Sequence, residues 1–455
     1  MLDTGDTAWM LVSTALVLLM TPGLALFYGG MVRSKSVLNM MMMSLSAIGL
    51  VGILWALYGY SIAFGDDVGG GLLGDPFEAF GLRGLFVGTY TGDEVSYPMS
   101  GTIPALLFVG FQATFAIITV ALISGAVADR LRFGPWLLFA GLWATIVYFP
   151  VAHWVFAFSN DESGVVGGWI ANDLAAIDFA GGTAVHINAG VAALALAIVV
   201  GKRRGWPREP MRPHNLTLVM LGAGLLWFGW FGFNAGSALG ANGTAAFALV
   251  NTIVATCAAM LGWLVVERVR DGRPTSLGAA SGIVAGLVAI TPACSSVSPL
   301  GGILIGAVAG VLCALAVGLK FRFGYDDSLD VVGVHLVGGL VGTVLIGLVA
   351  DPGSPAAVAG LFYGGGVDQL WRQVVGALAV LLYSGVVSFL LALLVRATTG
   401  LRVTDEAEAT GIDETEHAET GYDFSSHRSI SGLGTPRPDA APAAGPVPAT
   451  AGKEA

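Results

Sequence analysis

Asp178-Phe-Ala-Gly-Gly-Thr-Ala-Val-His186 and, 149 residues later, Asp327-Ser-Leu-Asp-Val-Val-Gly-Val-His335 both set an acid eight residues ahead of a histidine that follows valine. Each motif opens a run free of Asp, Glu, Lys and Arg, over 179–200 and 331–349. Such runs, wound as helices, are long enough to cross roughly 30 Å of hydrocarbon. Working outward, further runs of this kind cover 7–29, 38–64, 102–128, 135–155, 216–234, 245–266, 278–293, 300–317 and, with the single charge Arg372 near its start, 370–395, which makes eleven. The run at 278–293 is the shortest of them. The two histidine motifs open the fifth and the tenth. Five is odd, so the second copy starts from the opposite side of the membrane and the repeat is inverted. The expected fold is an all-α polytopic membrane protein of eleven transmembrane helices. It has two inverted five-helix repeats, about 1–200 and 214–350, and a long last helix at about 370–397. Corresponding positions of an inverted repeat approach one another near mid-membrane, so His186 and His335 are expected to meet.

Composition agrees. The chain is 55% hydrophobic and 11% charged, with a mean hydropathy of +0.77, outside the range of a water-soluble globule. Its first run is expected to be a span rather than a secretory signal, because the residues ahead of it carry Asp3 and Asp6 and no basic residue. Sixteen Lys and Arg fall in alternate connections and, as Arg396 and Arg402, just after the last run, against Arg83 and Arg372 on the other side. Basic residues gather on the cytoplasmic side, which puts the N-terminus outside and the C-terminus inside. The opposite connections are acidic (Asp66, Asp67, Asp75, Glu78, Asp93, Glu94, Asp161, Glu162, Asp173, Asp351, Asp368), a field that draws cations. Glycines within the runs, such as Gly181, Gly182, Gly190, Gly338, Gly339 and Gly342, read as close helix packing. Cys257, Cys294 and Cys313, odd in number and without CxxC spacing, read as packing residues.

From 399 to 455 the composition changes to an acidic cytoplasmic tail. Residues 401–455 hold ten Asp or Glu, four Lys or Arg and a Pro/Ala/Gly-rich end, so this tail is expected to be largely disordered and to have a regulatory role. It carries six of the ten net negative charges, so the low pI describes the tail more than the membrane unit.

Ionisable residues inside a membrane are functional candidates. The runs leave His186 and His335, with His153 at the outer end of the fourth. A single such histidine can be no more than a link between helices. A pair related by a repeat can share a proton between ring nitrogens and offer acceptors to a small polar solute without fixing a charge in lipid. Aromatic residues at helical spacing form a second group, Phe111 with Phe115 and Trp227, Trp230 and Phe233 ahead of Ser237. Taken alone they read as packing, yet a ring face attracts a cation by about 0.5–2 kcal/mol. No motif for a nucleophile, a metal or a nucleotide stands out, so neither an enzyme nor a cofactor or metal site is expected, and nucleic acid is not expected as a partner.

The chain resembles the ammonium transporter family, often grouped with the Rhesus proteins. The resemblance runs from about 6 to 424, through Met20-Thr-Pro-Gly-Leu-Ala-Leu-Phe-Tyr-Gly-Gly-Met-Val-Arg33, Phe111-Gln-Ala-Thr-Phe115, both histidine motifs and Trp230-Phe-Gly-Phe233-Asn-Ala-Gly-Ser237. It implies transport of ammonium or ammonia, and of methylammonium, across the cell membrane by a lipid-embedded homotrimer with one pore per protomer. It further implies Phe115, Phe156 and Ser237 as an outer ammonium-recruitment site and Phe115 with Phe233 as a stacked gate. Phe111 and Trp230 would line the pore, His186 and His335 would be its twin histidines, and Asp178 an orienting, helix-capping acid. Phe156 departs from the family's common tryptophan in His-Trp-Val-Trp, which lowers the expected outer affinity. The resemblance also implies a nitrogen-regulatory PII protein as partner of the cytoplasmic face, at 400–406 through 421–424. Two alternatives share the same residues: an ammonium receptor that signals through the tail, and a Rhesus-like channel for neutral gas.

Overall fold

The computed structural model describes residues 1–91, 94–160 and 164–423. Asp93, Asp161, Glu162 and the tail from Phe424 to the end therefore lie outside the described residues, together with the expectations placed on them. The charge-free runs become helices α1 (Thr4–Met31), α2 (Ser34–Phe64), α3 (Ala105–Val127), α4 (Phe133–Phe156), α5 (Gly182–Val200), α6 (Leu216–Gly236), α7 (Gly243–Arg270), α8 (Ser276–Ile290), α9 (Pro299–Phe323), α10 (Val332–Val349) and α11 (Asp368–Thr398). Among the described residues, strand is confined to small hairpins between α2 and α3, Thr89–Thr91 with Glu94–Ser96 and Met99–Ser100 with Ile103–Pro104.

Ten of these helices are long and apolar enough to cross a membrane. The eighth is not, which departs from the expected eleven. α8 has 15 residues, about 22 Å of helix, and passes after Ile290 into tighter turns, with Thr291 N–H donating to the Val288 carbonyl and Ala293 N–H to that of Ile290. Most of its residues are buried in protein, so lipid does not set its length.

The inverted relation is visible at both ends of α5 and α10. Just past α5, the Arg203 backbone N–H donates to Asp326 Oδ2 at 2.7 Å and its guanidinium pairs with Asp326 Oδ1 at 2.8 Å, just ahead of α10. At the other end, Gln373 of α11 joins Ile177, ahead of α5, to Thr343, late in α10. α5 and α10 therefore run antiparallel. Packing is close because side chains are missing at the crossings. On α9, a Cβ at Gly306 or Gly310 would lie 2.1 and 2.2 Å from the carbonyl oxygens of Ala255 and Ala259 on α7. That spacing is the small-residue ridge by which membrane helices approach.

The basic connections meet at one end of the bundle, around a buried ion network. Arg203 bridges Asp129 and Asp326. Burial disfavours the Asp326 charge, but the Arg203 hydrogen bonds and the Arg130 charge outweigh it and hold the carboxyl below its usual 3.8. Burial pulls Arg130 down to about 10.

The first part of the tail is ordered, contrary to what its composition suggests. It forms α12 (Asp405–Thr410) and α13 (Ile412–His417) against the basic end. Glu408 accepts from the Arg204 backbone N–H and from Arg402, both at 2.6 Å, and Asp413 accepts from the Leu38 and Asn39 N–H groups at 3.0 and 2.8 Å at the start of α2. Acidic residues that cannot build a core of their own are ordered here by arginines and by a helix N-terminus belonging to other elements.

Candidate functional site

Each histidine helix begins on an acid. Asp178 accepts from the backbone N–H groups of Gly181, Gly182, Thr183 and Ala184 at 2.6–3.2 Å, and from the Thr183 hydroxyl. This satisfies the orphan donors of the α5 N-terminus, so Asp178 is a cap with its oxygens engaged. In the second copy Asp327 accepts from Val331 and Val332 N–H at 3.1 and 2.8 Å. Both helices then open with one wide π-helical turn, Gly182–Ile187 and Val332–Leu336, and each turn contains its histidine. Such turns are uncommon and shift a side chain off the regular helical register.

The helices cross at glycine. A Cβ on Gly190 would fall 2.5 Å from the Leu336 backbone N, and one on Gly339 would fall 3.1 Å from the His186 Cβ. The imidazoles meet with Nδ1 to Nδ1 at 3.3 Å and are 1% and 3% exposed. One Nδ1 donates and the other accepts, so the pair holds opposite tautomers: one Nε2 is bare and the other carries hydrogen. His186 Nε2 is buried without a hydrogen-bond partner. His186 and His335 border a small cavity, about 10 Å³ in which the centre of a water-sized molecule fits, whose other walls are apolar. Little more than one water fits such a space.

Above this cavity stand two rings. Phe115 and Phe233 stack with centroids 4.2 Å apart and planes at 27°, both essentially inaccessible. Phe233 in turn stacks over His186 at 6.2 Å, and Trp230 at 5.5 Å. Beyond the ring pair an open vestibule of about 290 Å³ is lined by Phe115, Phe156 and Ser237 with Ser100, Phe108, Gln112, Phe158, Phe179 and Leu239. The Ser237 hydroxyl donates to the Phe233 carbonyl at 2.8 Å, which leaves its lone pairs able to accept.

Phe115, Phe156 and Ser237 thus share one vestibule, Phe115 and Phe233 lie in contact, and Trp230 borders the histidine cavity. Phe111 borders neither space; it packs edge-on against Phe115 at 4.9 Å. His153 is fully buried away from the vestibule, with Nδ1 3.2 Å from the Ala63 carbonyl and Nε2 3.3 Å from Asp67 in the loop after α2. Burial works against the Asp67 charge, but the backbone N–H groups of Gly71, Gly69 and Leu73 outweigh it and hold its carboxyl below 3.8.

The chain matches the family model described as "Ammonium Transporter Family" over residues 8–422. It belongs to that family. It is 70% identical over 435 residues to an ammonium transporter of Mycobacterium tuberculosis (strain ATCC 25618 / H37Rv), covering 93% of this chain and 91% of the relative. The crystal structure of Saccharomyces cerevisiae Mep2 aligns with a TM-score of 0.78 and 35% identity, covering 89% of this chain and 88% of that one. A structure described as a sensor Amt protein aligns with a TM-score of 0.81 and 28% identity, over 91% and 98%. This member of the ammonium transporter family is a multi-pass membrane protein that transports ammonium.

Sequence reasoning missed part of this transporter's vestibule. Phe179 is the second residue of the first histidine motif and Gln112 follows Phe111, so both stood inside motifs already singled out. It also missed Thr291, which takes the Trp230 Nε1 hydrogen at 2.9 Å and itself donates to Leu287. A threonine in an apolar turn carries no signal of its own.

Proposed function

We propose that ammonium enters from the acidic end, lodges in the vestibule against Phe115, Phe156 and the Ser237 hydroxyl, and gives up one proton above the Phe115/Phe233 stack. Neutral ammonia then passes the rings, crosses along His186 and His335, and takes a proton again at the basic end. The observation that carries this reading is the imidazole pair, with His186 Nε2 buried and unpartnered, beside an apolar space of about one water's size that both histidines border. An ion would lose its hydration shell there without replacement, whereas a neutral hydride with one lone pair and three N–H groups finds both a donor and an acceptor. Potassium meets the same outer field and rings, but it has no hydrogen to donate to Ser237 and no proton to leave behind.

Replacing both histidines with alanine is expected to abolish saturable methylammonium uptake while folding and membrane insertion persist. Wild-type uptake by that double variant sinks the role given to them. The released proton has two routes, back to outer water or inward with ammonia. Current recorded from proteoliposomes given an ammonium step marks the second, and uptake without current marks the first, the gas-channel reading. A sensor role is not favoured, since the curated relatives carry the name transporter. The protein acts as a carrier rather than an enzyme, with α8 counted as the eleventh span, the N-terminus outside and the basic end in the cytoplasm. It assembles as a homotrimer, and a PII protein meets the docked tail at 400–406 through 421–424; a pull-down without PII under every nucleotide condition removes that partner.

A further inference from the structure

Gln373 stands on α11, outside both repeats, and is fully buried. Its Oε1 accepts from the Ile177 N–H at 2.6 Å, and its Nε2 donates to the Ile177 carbonyl at 2.7 Å and to the Thr343 carbonyl at 3.2 Å. Gln369, one turn earlier, donates to the same Oε1 at 3.0 Å. Both acceptor sites and both donor hydrogens of the amide are used, and the flipped amide would set donors against the Ile177 N–H, so only one orientation fits. The amide thus pairs with both backbone groups of a single residue, as a neighbouring strand would.

That residue is the one before Asp178, the cap of the helix that carries His186. Two residues on, Phe179 donates its N–H to the Pro292 carbonyl at 3.2 Å and faces the vestibule. Thr343 lies eight residues beyond His335 on α10. One side chain therefore fixes the start of one histidine helix to the far half of the other. The second repeat meets the same need differently. There the residue before the capping acid is Asp326, whose carbonyl takes Arg130 and whose carboxylate takes Arg203. Charged groups serve at the basic end, while at the opposite end a neutral amide does so without placing a charge beside the cation's path.

We propose that Gln373 is a positioning residue for transport, which sets the register between α5 and α10, and with it the depth of the histidine pair. It touches neither cavity, so its removal is expected to change turnover rather than recruitment. The test is Gln373→Glu, which has the same shape and keeps an acceptor for Ile177 N–H, but turns an oxygen toward two carbonyls. Methylammonium uptake is measured in proteoliposomes per folded molecule, counted by monodisperse elution in size-exclusion chromatography. The expected result is a maximal rate at least tenfold lower with KM within about twofold of wild type. If Gln373→Glu does not accumulate, Gln373→Asn, which fits the space but cannot reach Ile177, is expected to give the same split. Wild-type turnover per folded molecule in either variant overturns the proposal, as does failure of both to fold, which would make the residue structural only. A Gln373 variant leaves the histidines intact, so this outcome is independent of the double-histidine test.

Discussion

At the scale of the residue, the proposed route separates attraction from passage. Ring faces, two serine hydroxyls and an amide stand in the vestibule, where water still screens a charge, and among the described residues that line the histidine cavity the ionisable side chains are two imidazoles that can both stay neutral. On the proposed route the weak point of the attraction is Phe156. An indole there adds ring area and an N–H, and the vestibule of about 290 Å³ has room for it. A gain of about 0.5–1 kcal/mol in a half-exposed cation–π contact corresponds to about a two- to fivefold lower KM, since 1.4 kcal/mol is tenfold. Phe156→Trp is therefore expected to lower the KM for methylammonium by that factor with the maximal rate unchanged. A KM equal to wild type in uptake kinetics would remove Phe156 from recruitment.

At the scale of the element, what could be read in the sequence was whatever repeats or alternates locally. The Asp–eight–His spacing marked the starts of α5 and α10 because capping and helix initiation involve residues a few positions apart. The ordered tail was not legible, since Glu408 and Asp413 are held by Arg402, Arg204 and the start of α2, up to 375 residues away. Gln373 had a faint signal, two glutamines four apart in an apolar helix, but its partner is a backbone that sequence does not display. The ion pairs at the basic end carry a pH expectation. The Asp326 carboxyl sits below its usual 3.8 in the folded protein, so its stabilisation is complete above that value and is lost only as pH falls through the lower, folded-state value. Removing one partner of a buried pair costs about 3–5 kcal/mol. Asp326→Asn is expected to unfold at lower temperature than wild type by an amount that stays constant from about pH 8 to pH 5 and shrinks only in stronger acid; a gap that closes near neutral pH contradicts this assignment.

At the scale of the whole molecule, the inverted repeat makes one crossing do two things. Antiparallel helices related by a pseudo-two-fold axis bring equivalent residues together only at the axis, and there the separation of backbones decides whether the imidazoles touch. Gly190 sets that separation: its missing Cβ would meet the Leu336 backbone N at 2.5 Å and Cα at 2.7 Å, and backbone cannot move aside as a side-chain tip could. Overpacking of this kind costs about 1–3 kcal/mol, which a large bundle absorbs without unfolding by letting α5 and α10 part. Parting lengthens the 3.3 Å contact between His186 and His335 and breaks their shared hydrogen bond. Gly190→Ala is thus expected to reach the membrane and bind at the vestibule with wild-type KM, yet turn over at least tenfold more slowly per molecule. Gly224→Ala on α6, where nothing lies within 4 Å of the added carbon, is the matched control and is expected to transport normally. Equal turnover in the two variants would mean that the spacing of the histidine helices does not govern transport.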